Sequence, residues 1–277
     1  MGLVRAAAIL AGLLVACPTF AEEESIAISD SLALHADALI VKMGNQGFGQ
    51  IPKWRIGDYA VVSSRLKATR VDSKSNLLET RTERHSTTAF TFVLCGAAPE
   101  SVFVQVVRRA MDETTKEFKL GKSVGLGSNG VVRESDSCTA TIVVRGDTSA
   151  TWTLLKASIS VPERSYEAVL TDGTRRVVLA PVTAHARPAS TRRGFFSRVA
   201  SRLVPPAMGY EFLENGRPIG ALQTFGGASR KNPRRVWMHR DLDARSKLVL
   251  AAAMTTILEV ETSATGLEPP DESIVRD

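Results

Sequence analysis

Cysteine, histidine and aromatic residues are scarce in this 277-residue chain, which contains three Cys, four His and only 6% Phe, Trp and Tyr. The histidines are too widely spaced for a His-x-x-x-His metal site, and neither a P-loop nor a Gly-x-Ser-x-Gly nucleophile elbow occurs. One Gly-x-Gly-x-x-Gly match, at 125–130, has no helical pattern after it, so it predicts a turn. Motifs therefore point to no catalytic residue, metal or cofactor, while a catalytic triad assembled from distant residues stays open.

The first 21 residues indicate export. Arg5 precedes an apolar run at 6–16, which is too short to span a bilayer and is followed by small residues. Two processing routes stay open. Cleavage after Ala21 is favoured by the helix breaker Pro18, whereas the residues ending at Cys17 resemble a bacterial lipobox, in which that Cys is acylated. We expect a periplasmic or secreted protein, either free or lipid-anchored to a bacterial membrane.

Export also bears on the two remaining cysteines. Cys17 leaves with the signal or is acylated, so Cys95 and Cys138 are left as a pair in an oxidising compartment. We predict a disulfide between them. Two unpaired, buried thiols are the alternative.

The positive charge is concentrated in one part of the chain. Between Arg187 and Arg240, eleven Arg and Lys stand against two Glu, whereas the segment 259–277 is acidic. Such a basic stretch favours anionic partners. The predicted anionic-surface residues are Arg192, Arg193, Phe195, Phe196, Arg198, Arg202, Arg230, Lys231, Arg234 and Arg235.

The middle of the chain has the alternating, β-branched pattern of strands. Two dipeptides, Asp172-Gly173 and Asn215-Gly216, predict hairpins with type I′ turns, because both residue types tolerate positive φ angles. The predicted strands are Tyr59–Val71, Ser86–Cys95, Ser101–Val107, Cys138–Val144, Trp152–Ile159, Tyr166–Leu170, Arg175–Val182, Tyr210–Leu213, Ile219–Phe225 and Arg235–His239.

A hydrophobic helix is predicted over Leu248–Leu258, with Asp241 or Asp243 as its N-cap. The segment is apolar nearly all round, so it must be surrounded by protein or lipid, and it is too short for lipid. We therefore expect a mainly β fold, a closed or nearly closed antiparallel barrel around this helix. A β-sandwich with a packed terminal helix is the alternative.

This arrangement resembles the tubby-like β-barrel class, which includes tubby, the phospholipid scramblases and the plant LURP-one-related proteins. The resemblance covers mainly Trp152–Val260, and is clearest at Gly209–Gly220, Val236-Trp237 and Leu248–Leu258. It implies a barrel of roughly twelve strands around one C-terminal helix. It carries over no phosphoinositide-binding residues.

The basic insertion, 187–206, admits two interpretations. As a helix over Thr191–Leu203 it places Phe195 and Phe196 on one face with arginines at the borders, which suits a helix lying in a membrane interface. The same pattern also suits a helix that plugs one end of the barrel, with its arginines solvated.

The predicted organisation is a signal (1–21, or 1–16 in a lipoprotein), a lead segment (22–57), one β domain (58–260) and an acidic flexible tail (261–277). We expect an envelope protein of binding or scaffolding type that engages anionic lipid or another envelope component. We expect no nucleic acid partner and no transmembrane helix in the mature chain. The alternative is an envelope hydrolase or transferase whose active site the sequence does not reveal.

Overall fold

The structure is a computed structural model that describes residues 25–76, 80–96, 100–116, 118–120, 124–126, 130–146, 151–161, 165–183, 207–226 and 234–265. Within these ranges the helices are α1 (Asp30–His35) and α2 (Ala244–Thr265). Its strands are β1 (Ala36–Met43), β2 (Trp54–Ile56), β3 (Tyr59–Leu66), β4 (Arg70–Ser75), β5 (Arg81–Cys95), β6 (Ser101–Thr115), β7 (Phe118–Leu120), β8 (Val124–Leu126), β9 (Gly130–Val144), β10 (Thr151–Val161), β11 (Ser165–Thr171), β12 (Arg176–Thr183), β13 (Met208–Glu214), β14 (Arg217–Phe225) and β15 (Arg235–His239).

Twelve of these strands form a closed antiparallel barrel. Their order around the ring is β3, β2, β1, β15, β14, β13, β12, β11, β10, β9, β6 and β5, and β5 pairs with β3 to complete it. Strand β4 pairs only with the first half of β5, and β7 and β8 form a separate two-stranded sheet. The closed ring confirms the predicted mainly β barrel with a C-terminal helix.

Helix α2 fills the barrel. Every residue from 248 to 260 is buried, and Ala251, Ala252 and Ala253 are completely inaccessible. The two threonines in this stretch donate their hydroxyl hydrogens to the helix itself, Thr255 to the Ala251 carbonyl and Thr256 to the Ala252 carbonyl. From Leu248 to Leu258 the helix therefore presents an apolar surface on all sides, and the barrel wall supplies the protein environment that such a surface requires.

Close approach to the wall requires a glycine. A Cβ atom at Gly220 of β14 would lie 2.9 Å from Cδ2 of Leu250 and 2.9 Å from the carbonyl oxygen of Trp237. At the start of α2, Asp243 accepts hydrogen bonds from the amide and hydroxyl of Ser246, at 2.8 and 2.7 Å. Of the two predicted N-cap candidates, Asp243 is thus the one that caps the helix.

The two ends of the barrel are distinct. Because α2 follows β15 after a short turn, its first residues lie where β15 ends, and its last turn lies at the opposite end of the ring. We call that opposite end the distal end. The antiparallel register also places there the 44–53 loop, the last residues of β12 and β14, and the first residues of β13 and β15.

The N-terminal segment corrects the predicted domain boundary. Residues 22–57 were expected to lead into the domain, but β1 and β2 are barrel strands within that range. Upstream of β1, Ile26 and Leu32 cover the outer face of the barrel at Ala221 and Trp237, forming a second apolar cluster. Buried and exposed positions do not alternate strictly along β1, so the sequence pattern does not identify it. At the other end, the predicted tail begins inside α2, which continues to Thr265.

The predicted disulfide is wrong. Cys95 lies opposite Ser101 and Cys138 opposite Arg108, so seven residues of β6 separate the two positions, roughly 23 Å at about 3.3 Å per residue. A disulfide requires Cα atoms within about 7 Å. The side chain of Cys138 also packs in the core, whereas Cys95 alternates with the core residue Leu94 and faces outward, and both thiols are free.

Most predicted strands are confirmed, with two local differences. The predicted strand Tyr59–Val71 is divided into β3 and β4. The Asn215-Gly216 hairpin has the expected two-residue loop with φ angles of 52° and 78°. The Asp172-Gly173 hairpin forms, but its loop is four residues long, because the Asp172 carboxylate accepts the amides of Thr174 and Arg175. The I′ turn predicted there is therefore wrong.

Candidate functional site at the distal end

The C-terminal turn of α2 carries two glutamates into the distal end, and the first is held by an aromatic side chain. The indole Nε1 of Trp54, at the start of β2, donates a 2.8 Å hydrogen bond to Glu259. The Arg234 guanidinium lies 5.3 Å from the centroid of the same indole. Burial raises the pKa of Glu259, although the hydrogen bonds and Arg234 oppose this shift, and burial lowers the pKa of Arg234. The guanidinium of Arg234, one of the predicted anionic-surface residues, therefore lies over Trp54 at the mouth of the barrel.

The second glutamate contacts the opposite wall. Glu261 lies 2.7 Å from the ammonium nitrogen of Lys156 on β10 and accepts a 2.9 Å hydrogen bond from the hydroxyl of Tyr210 on β13. Tyr210 stacks on Tyr166 of β11 with ring centroids 5.2 Å apart. Burial raises the pKa of both tyrosines, so both stay protonated at physiological pH and Tyr210 keeps the proton that it donates to Glu261. This ion pair therefore fixes the end of α2 between two strands.

A cleft opens in the wall beside this ion pair. Strands β11 and β12 share only three residue pairs in the described chain, from Val169–Val178 to Thr171–Arg176. Where they diverge, a cavity of about 630 Å³ reaches from outward-facing aliphatic side chains to Lys156. Burial raises the pKa of the Cys138 thiol in this cavity to about 12, so the thiol is protonated and a poor nucleophile at neutral pH. The cleft offers apolar surface and one buried ammonium group, without an activated nucleophile among its described residues.

The outer face of β1 to β3 and the loops at its distal edge form a strongly basic surface. From Ala38 to Gly57 the sequence contains no acidic residue, and from Tyr59 to Val71 it again contains none. Within the part of the chain that the structure describes, the basic side chains of this surface make no ion pair with a carboxylate. We call it the basic wall, and its members are Lys42, Lys53, Arg55, Arg65 and Lys67, all exposed.

A fully exposed aromatic side chain stands at the distal edge of the basic wall. Phe48 has a relative exposure of 107% and lies between Gly47 and Gly49 in the 44–53 loop. The carbonyl of Gly49 accepts a 2.7 Å hydrogen bond from the amide of Leu66, next to two members of the wall. The structure therefore juxtaposes unpaired positive charge and an exposed ring, the combination that interfacial binding uses.

The residues predicted from the sequence lie only partly within the described chain. Arg192, Arg193, Phe195, Phe196, Arg198 and Arg202, together with Arg230 and Lys231, lie outside it, as do the proposed cleavage sites and Cys17. Arg235 lies half-buried on the outer face of β15, opposite the exposed Ile40 of β1. Thr183, Ala207 and Gly226, which flank the two basic segments, lie at the distal end, on the side of the ring that β12 to β14 form.

Sequence reasoning missed the basic wall because its charges are spread over three short elements. A signal for it was present, since two consecutive stretches of the chain carry six basic residues and no acid. This signal is weaker than that of Arg187–Arg240, where eleven basic residues stand against two acidic ones. Only the pairing of β1 with β2, and of β2 with β3, brings these side chains onto one face.

Comparison of the chain with protein-family models, with curated proteins and with solved structures gives no significant match. Among the described residues, no helix combines the length and apolar character needed to cross a membrane. The same residues contain no group of three or more His, Cys, Asp or Glu side chains suited to hold a metal ion.

Proposed function

We propose that this protein is an exported cell-envelope protein of binding or scaffolding type, which docks on anionic lipid through the basic wall. The observation that carries the proposal is the set of five exposed basic side chains, Lys42, Lys53, Arg55, Arg65 and Lys67, with no carboxylate partner in the described chain. The one acidic residue between Lys42 and Lys67, Asp58 in the turn between β2 and β3, forms no ion pair with them in the described chain. A cluster of unpaired positive charges attracts anionic surfaces.

The strength of such docking follows from its charge. A basic residue close to an anionic membrane contributes about 1 kcal/mol, so five contribute on the order of 5 kcal/mol when all approach the surface. Binding of this kind is weak per molecule and falls with salt, because the Debye length shrinks from about 10 Å at 0.1 M to about 3 Å at 1 M. The basic segments at 187–206 and 227–233 add charge to the sequence, and their described flanks lie at the same end.

Two further elements belong to the proposal. The first is processing at the N-terminus, by cleavage after Ala21 or acylation of Cys17, which would bring the chain to the envelope. The second is kinship with the tubby-like class. It is supported by the architecture, a ring of twelve strands around a C-terminal helix, and by no residue-level motif.

Vesicle co-sedimentation of the unlipidated mature chain, Glu22–Asp277, tests the docking. We expect binding to vesicles that contain phosphatidylglycerol, none to pure phosphatidylcholine, and weaker binding as salt rises from about 0.05 to about 0.5 M. The variant Lys42→Glu/Lys67→Glu reverses two charges of the wall and should weaken binding at least tenfold, roughly 1.4 kcal/mol or more.

The matched control is Arg145→Glu/Arg176→Glu, which makes the same change in net charge at exposed positions near the opposite end of the barrel. It should bind nearly as the parent does. Equal losses in the two variants would show that net charge alone drives association, and an absence of binding by the parent would refute docking altogether. Unchanged binding by the wall variant would assign the anionic surface to another part of the chain.

A further inference from the structure

The 44–53 loop holds Phe48 outward by a set of backbone hydrogen bonds. The Gly44 amide donates to the Lys53 carbonyl at 3.0 Å, the Gln50 amide to Gly47 at 3.1 Å, and the Leu66 amide to Gly49 at 2.7 Å. Just after the tip, Ile51 is buried in the main core, and its amide donates to the hydroxyl of Ser64 on β3. The loop is therefore tied to the barrel on both sides of the ring that it exposes.

The position of Phe48 is unusual for a side chain of this type. Phe is among the residues most often buried, whereas Phe48 is 107% exposed and the next most exposed large apolar side chain of the described chain, Leu34, is 71% exposed. Gly47 and Gly49 flank the ring with no side chains of their own, and Gly49 has a φ of +67°, which a larger residue would adopt only with strain. The tip is thus shaped to project one ring.

The charges around the loop identify the class of partner. Lys53 lies at the end of the same loop, and Arg65 and Lys67 flank Leu66, whose amide holds the tip. Basic groups at the level of lipid phosphates with an aromatic ring ahead of them match an anionic bilayer, whose apolar layer begins just below its charged headgroups. A protein surface complementary to this arrangement would need an acidic rim around an apolar pocket.

We propose that Phe48 is a membrane anchor that enters the acyl region of an anionic bilayer when the basic wall docks. The inference rests on the proposed function and deepens it, since it fixes the lipid-facing edge of the barrel and adds a contribution that salt does not screen. Electrostatic docking holds the protein at the surface, and ring insertion slows its release.

The variant Phe48→Trp provides a direct readout in the mature chain. The three native tryptophans, Trp54, Trp152 and Trp237, are at most 8% exposed, so they give a nearly constant background. With phosphatidylglycerol vesicles, the emission of the introduced indole should shift to shorter wavelength and be quenched by lipids brominated on the acyl chain. The control Val178→Trp places an indole at a partly exposed position, 41% accessible in the parent, on β12 across the ring from β3, and its emission should stay unquenched.

A second variant measures the contribution to affinity. Phe48→Ser should lower partitioning at about 0.5 M salt at least tenfold and have a smaller effect at low salt, where charge dominates. If the parent binds anionic vesicles but the introduced indole is not quenched, the anchor is refuted and electrostatic docking stands. If the parent does not bind, the proposed function itself fails. A blue shift that appears without vesicles and grows with protein concentration would assign the ring to contact with a second copy and overturn the anchor.

Discussion

The ion pair between Lys156 and Glu261 allows a quantitative test of how α2 is held in the barrel. The Lys156 side chain is 6% exposed, whereas that of Glu261 is 30% exposed and also accepts a hydrogen bond from Tyr210. Removing the carboxylate with Glu261→Gln leaves a buried ammonium group without its counter-charge, which costs about 3–5 kcal/mol in the free energy of unfolding. This is a large fraction of a typical domain stability of about 5–15 kcal/mol.

Removing the lysine of the pair should lower the free energy of unfolding by less. In Lys156→Met the butyl stem is replaced by a side chain of similar shape, and Glu261 keeps both water and the Tyr210 hydroxyl, so we expect a loss of about 1–2 kcal/mol. The double variant Lys156→Met/Glu261→Gln removes both charges and should lose no more than about 2 kcal/mol. The sum of the two single losses would then exceed the loss in the double variant by about 2–5 kcal/mol.

Urea unfolding followed by tryptophan fluorescence measures all four free energies. The pair Arg70 and Asp72 serves as the control, because its 3.0 Å contact joins side chains that are 79% and 58% exposed, and its cycle should show no measurable coupling. Additivity of Lys156→Met and Glu261→Gln within about 0.5 kcal/mol would refute the argument. So would a larger loss in Lys156→Met than in Glu261→Gln.

Two further predictions concern α2. Leu250→Ala and Ile257→Ala remove side chains that are at most 2% exposed, and each should lower the free energy of unfolding by about 2–5 kcal/mol. Ala252→Asp should prevent folding, because it buries an unpaired charge. If urea unfolding showed that Asp is tolerated at Ala252, the enclosed helix would be contradicted. Asp243→Ala removes the N-cap and should cost about 1 kcal/mol at neutral pH. Partial desolvation raises the pKa of Asp243, but hydrogen bonds from Ser246 outweigh it and bring the pKa below 3.8. A carboxylate whose pKa is lower in the folded than in the unfolded state stabilises the fold at pH values above its unfolded pKa, and this stabilisation is lost as the pH falls. The difference in unfolding free energy between parent and variant should therefore close below about pH 4. A difference that is independent of pH would exclude the charged cap.

The amino-acid sequence by itself determined the elements whose signals are local. Alternation at Cys138–Val144 identified the second half of β9, because a strand with one buried face must repeat every two residues. The Asn215-Gly216 turn followed from the positive φ angles that only a few residue types accept. The run Leu248–Leu258 showed that α2 is enclosed, because a helix without a polar face cannot border water.

Only the tertiary structure decided which distant residues meet, because contacts across the barrel depend on strand register. Register places Cys95 and Cys138 roughly seven residues apart along β6 and so rules out their disulfide, although their compartment and number favoured one. Register likewise brings Lys156 and Tyr210 to Glu261 and turns Arg234 toward Trp54 instead of the solvent. The basic wall arises in the same way, since its charges lie on three short elements and become one surface only when β1, β2 and β3 pair.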